Sequence, residues 1–100
     1  ITNFSTGVDS ISTGIAAFVS ADAVIEDGTS LDFSAFIDAA NEEFAINNKD
    51  VYVAWNADNS GNAWVVINNK DDVSVSDGDS LIVLTGISSV TNIGSGDFIA

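Results

Sequence analysis

The chain has 100 residues, 46% of them hydrophobic, with 15 Asp and Glu against 2 Lys and Arg and a net charge of −13. That is the length of one domain, with enough apolar surface to fold around a modest core. The charge repels nucleic-acid phosphates and anionic lipid headgroups, so neither is an expected partner. Cys and His are absent, which removes disulfides, thiolate nucleophiles and the usual residues of zinc and Ser-His-Asp catalysis.

The longest apolar runs, 64–67 and 81–84, are too short to span a bilayer, so no membrane insertion is expected. No basic stretch followed by an apolar one opens the sequence, so no signal peptide is read there. Starting at Ile1 and lacking Met, the chain reads as a fragment or processed product of a larger protein. Its acidity favours cations, and calcium is the expected one because carboxylates and carbonyls are hard oxygen ligands. Solubility is the plainer reason for such a charge.

Residues 1–4 are short and β-prone, and 8–11 read as a second short strand after Gly7. Residues 14–25 fit either a buried helix or a bent strand, and Glu26-Asp27-Gly28-Thr29 has the composition of a turn. Phe33, Phe36, Ile37, Ala40 and Phe44 recur at helical spacing and predict an amphipathic helix over 30–44. Thr29 or Ser30 would cap it, Asp32 would sit in its first turn, Glu42 and Glu43 would face solvent, and Asn47-Asn48 would stop it.

Val51, Tyr52, Val53 and Trp55, then Trp64, Val65, Val66 and Ile67, predict paired strands over 51–56 and 63–67. Asp58-Asn59-Ser60-Gly61 would turn between them, with Gly61 at positive φ. The two Trp residues are read as cross-strand or core packing. Leu81-Ile82-Val83-Leu84 predicts a third strand over 81–85, buried on both faces and ended by Gly86. The expected fold is α+β: a small antiparallel sheet with one amphipathic helix packed on one face, in a single domain spanning 1–100.

The polar segment 68–79 is the candidate metal loop. In the register of a twelve-residue calcium loop, Asn68 takes position 1, Asp72 position 5, Ser74 position 7, Val75 position 8, Ser76 position 9 and Asp79 position 12. Lys70 stands where a carboxylate belongs and Val73 where Gly belongs, so the loop is degenerate. A solvated strand connection is the alternative. Abundant carboxylates alone fix no catalytic pair, and no enzyme activity is expected.

Three segments carry a resemblance. Ile1-Thr2-Asn3-Phe4-Ser5-Thr6-Gly7-Val8-Asp9-Ser10-Ile11 resembles the I-x-D-F-x-x-G-x-D-x-I segment that closes the calcium-binding β-roll of RTX proteins, with Asn3 in place of the usual Asp. Asp79-Ser80-Leu81-Ile82-Val83-Leu84-Thr85-Gly86-Ile87 resembles their late D-x-L-x-x-L-x-G-V strand, and Asp97-Phe98-Ile99-Ala100 is similar to the acidic-then-apolar ending of type I secretion substrates. The nonapeptide repeats themselves are absent, so the β-roll would lie upstream.

The resemblance implies a non-catalytic, extracellular or cell-surface domain that caps an upstream β-roll. It also implies an uncleaved export signal, including Asp97, Phe98, Ile99 and Ala100, read unfolded by a type I secretion transporter. A calcium-dependent, self-associating module of a surface layer or adhesin is the alternative expectation.

Overall fold

The computed structural model describes residues 4–28, 32–57, 61–69, 75, 79–87 and 92–100. Its elements are β1 (Ile11–Ser12), a 3-10 turn (Ser20–Asp22), β2 (Ala23–Asp27), α1 (Phe33–Ile46), β3 (Val51–Ala57), β4 (Asn62–Ile67), β5 (Ser80–Leu84), a second 3-10 turn (Ser95–Asp97) and β6 (Phe98–Ile99). The fold class is α+β, as expected. One sheet has the order β2-β3-β4-β5, and β1 and β6 form a separate pair.

β3, β4 and β5 pair antiparallel. β2 joins β3 in parallel, Ala23 opposite Val51 and Val24 opposite Tyr52, which makes the sheet mixed. A parallel neighbour requires a crossover of a dozen or more residues, and α1 supplies it. The stretch 14–25, open between helix and strand in the sequence, thus contributes a 3-10 turn and the start of β2. Glu26 and Asp27 lie in that strand instead of in a turn, and Gly28 follows it.

α1 starts later than the periodicity predicts. Asp32 is its N-cap, accepting from the Ala35 amide at 2.8 Å, so it precedes the first turn. Thr29 and Ser30 lie outside the described residues. The helix stops at Asn47, and Asn48 takes the left-handed conformation that Asn tolerates. Phe36, Ala40 and Phe44 are buried against Tyr52, Ala54 and Val66 on one face of the sheet. Phe33, expected on the same stripe, is half exposed and packs edge-on against Trp64 at 5.7 Å between ring centroids. Glu42 is exposed, while Glu43 is half-buried and accepts from the Asn47 amide group.

β3 and β4 are buried on both faces, which explains their unbroken apolar runs. Val51, Val53, Ala63, Val65, Ile67 and Leu84 point away from the helix. Their cover comes from Ile11, Phe18, Ile87, Ile93 and Phe98. The segments around β1 and β6 therefore form the layer that closes the second face. Trp55 packs against this cluster and donates its indole N–H to the Ile87 carbonyl at 3.0 Å, while Trp64 lies on the helix side beside Phe36. Both Trp residues are packing residues, as read from the sequence.

Two local expectations need correction. β5 is an edge strand, and its helix-side residues are open, Leu81 at 50% and Val83 at 38% exposure. Only Leu84 of this strand is fully buried, so its apolar run does not mark burial on both faces. Residues 8–11 do not form a strand: Ser5 to Asp9 is a turn closed by the Asp9 amide on the Ser5 carbonyl at 2.8 Å, and pairing begins only at Ile11. Gly61 is at φ +80, as expected, just before β4; residues 58–60 of that turn lie outside the described residues.

Candidate functional site

Two of the segments singled out by resemblance meet in the fold. Ile11 and Ser12 pair in parallel with Phe98 and Ile99. The Thr13 amide donates to the Ile99 carbonyl at 2.7 Å, and the Ser12 hydroxyl donates to the Ala100 carbonyl at 2.9 Å. A pair of two-residue strands has little stability of its own. It is held because Ile11 and Phe98, 2% exposed, are embedded in the cluster beneath the sheet.

Asp97 is the polar centre of this junction. It is 4% exposed, and its carboxylate accepts from the Gly7 amide at 2.8 Å, from the Gly94 amide at 2.8 Å and from the Thr6 hydroxyl. Burial pushes the carboxyl pKa up, but these hydrogen bonds outweigh it and hold the group below the ordinary carboxylate range. Gly7 reaches the carboxylate from φ +73, a conformation that costs glycine little and other residues more.

The same local device occurs twice. Ser20-Ala21-Asp22 and Ser95-Gly96-Asp97 are both 3-10 turns that run straight into a strand paired in parallel, β2 and β6 respectively. In each, the Asp side chain accepts from the backbone amide three residues earlier, Val19 for Asp22 and Gly94 for Asp97. The two turns lie close together. The repeated spelling, Ser, one residue, Asp, then two apolar residues, was the available sequence signal for this device. Nothing in the sequence marked Thr6 and Gly7 as partners of Asp97, because their separation of about 90 residues leaves no local pattern.

A chain of hydrogen bonds links the junction to the candidate metal loop. Asn69, just after β4, donates its side-chain amide to the Thr13 carbonyl at 3.0 Å and accepts from the Ser80 hydroxyl at 2.7 Å. The β4–β5 connection is thus clasped at its base. Of the five candidate ligands, Asn68 is buried directly after β4, and Asp79 directly precedes β5. Asp72, Ser74 and Ser76 lie outside the described residues. Among the described residues, no three His, Cys, Asp or Glu side chains are grouped to hold a metal ion.

The Tyr52 hydroxyl donates to Glu26 at 3.2 Å; its burial, then the neighbouring Glu26, Glu43 and Glu42 carboxylates, push its pKa well above the ordinary tyrosine value. It stays a protonated donor. Among the described residues no helix is long and apolar enough to cross a membrane. No family model, curated protein or solved structure matches this chain.

Proposed function

We propose that this chain is a non-catalytic secretion-signal and β-roll-capping domain of an extracellular protein exported by a type I secretion transporter. The observation that carries the reading is the junction: the β-roll-closing segment, 1–11, and the acidic-then-apolar segment, 97–100, resemble distant parts of one family, and in the fold they touch through Asp97 and through β1 and β6. A domain that caps an upstream β-roll needs its entry segment fixed to its own core. Here Ile11 enters the cluster beneath the sheet, and Asp97 ties down Thr6 and Gly7 in the turn that precedes it. The high acidity suits the same reading, since charge repulsion disfavours the compact state where calcium is scarce and calcium outside the cell relieves it.

The test is an export assay with residues 1–100 fused behind an inert, slow-folding passenger and expressed with the cognate type I transporter. The passenger should reach the medium with the full domain and stay inside when residues 95–100 are removed. No export by any transporter tried would contradict the reading, and calcium-dependent self-association would then be the function to pursue.

A further inference from the structure

We propose that the outer edge of β2 accepts an added β-strand from a partner protein, an extended segment in which Lys or Arg alternates with apolar residues. The inference stands apart from the export reading. β2 ends the order β2-β3-β4-β5, and among the described residues the backbone of Val24, Ile25 and Glu26 bonds only to β3. A strand paired on one side aims its alternate amides and carbonyls outward, and such a row is a template for strand addition. The row is bounded at its start, where the Ala23 amide donates to the Ser20 carbonyl and the Lys49 ammonium donates to the Ala21 carbonyl at 2.7 Å. It is open beyond the 3-10 turn.

The flanks of the edge select the partner. Val24 packs with the helix-side cluster and Ile25 with the opposite one, and both are only half-buried, so apolar surface is left on either side of the edge. Charge lies beside it. Glu26 is exposed and accepts from the Tyr52 hydroxyl at 3.2 Å, and α1 brings Glu43 and Glu42 close enough to act on the same hydroxyl. Three carboxylates from two elements thus converge beside the edge on its helix side. Asp27 is exposed, and strand alternation places it on the other face.

A second copy does not fit this edge. With Lys49 and Lys70 as its only bases and a net charge of −13, it would set carboxylates against carboxylates, and like charges directly opposite destabilise a strand pair. A strand with Lys or Arg opposite Glu26 gains the converse pairing, and its apolar residues lie along Val24 or Ile25.

The probe is a short synthetic peptide alternating Lys with Val, titrated into the 1–100 chain while hydrogen exchange is followed at the amides of Val24, Ile25 and Glu26. Exchange should slow at one or more of these amides, and the effect should fade as NaCl rises from about 10 to 150 mM. A control peptide with Pro in place of Val keeps the charge and loses amide donors. It should bind about tenfold more weakly, the loss of one or two main-chain hydrogen bonds. Glu43→Lys, a cation near a helix C-terminus where the dipole favours it, should weaken the Lys peptide about fivefold. Glu26→Lys together with Glu43→Lys should shift preference to a peptide alternating Glu with Val. Trp fluorescence checks folding, and if the double variant does not fold, Glu43→Lys carries the comparison.

Equal binding of the Val and Pro peptides, or of parent and Glu43→Lys, would reduce the contact to unspecific attraction and overturn the proposal. Unchanged exchange at about 1 mM peptide would overturn it as well. Protection that rose with protein concentration alone would assign the edge to a second copy and overturn the choice of partner.

Discussion

Asp97 shows how one side chain can hold together parts of a chain that lie far apart in sequence. Its carboxylate is short enough to close its own 3-10 turn on Gly94 and charged enough to hold Thr6 and Gly7 at the same time. Asp97→Asn keeps the shape but replaces one acceptor oxygen with a donor that faces other donors. It should lower stability by about 2 kcal/mol in urea titration, the cost of leaving a hydrogen bond to a charged group unmade; a loss below about 0.5 kcal/mol would contradict this role.

The pH dependence has a fixed sign. A carboxyl whose folded pKa lies below its unfolded value stabilises the fold above the unfolded pKa of about 3.9, and loses that contribution as pH falls through the folded value. The stability gap between the parent and Asp97→Asn should therefore be full at pH 6 and shrink below about pH 4. A gap that widened on acidification would contradict the hydrogen-bonded carboxylate.

At the scale of elements, burial separates residues that look alike in sequence. Leu81 and Leu84 belong to one apolar run, yet Leu81 is half exposed and Leu84 fully buried. Leu81→Lys should change stability by no more than about 0.5 kcal/mol, whereas Leu84→Ala should cost about 2–5 kcal/mol by the cavity it leaves. Equal effects in thermal or urea unfolding would place the β5 edge inside a core.

The helix and the strands over β3, β4 and β5 were legible in the sequence because their signals are local: Phe36, Ala40 and Phe44 at helical spacing, and β-branched and aromatic runs around a turn. The later start of α1 was not, since Asp32 serves as a first-turn acid or as a cap with equal chemistry, and only the Ala35 amide decides between them. The sequence leaves β2 open between a helix and a bent strand because Ala23, Val24 and Ile25 pair in parallel across the helix, so neither a hairpin turn nor a period marks them. The site was legible in part. Asp97 to Ala100 could be singled out by resemblance, but their partners Thr6, Gly7, Ser12 and Thr13 follow only from the fold.

For the whole molecule, a net charge of −13 on 100 residues means that self-repulsion opposes the compact state. Repulsion among carboxylates is screened over a Debye length of about 10 Å at 0.1 M salt. Raising NaCl from 10 to 150 mM should therefore raise Tm by about 4–8 °C, the shift that roughly 1 kcal/mol produces in a domain of this size. A falling Tm would mean that attractive pairs dominate the surface.

The two faces of the sheet are closed by different means, α1 on one and the β1–β6 junction on the other. That asymmetry makes the junction separable. Hydrogen exchange at the Thr13 amide, whose acceptor is the Ile99 carbonyl, reads it most directly, comparing the full chain with one lacking residues 95–100. Protection at Thr13 should be lost in the shortened chain while amides of Val53 and Val65 in the central strands stay protected. Unchanged protection at Thr13 would contradict the docking of the last strand onto residues 11–13, and with it the structural basis of the proposed function.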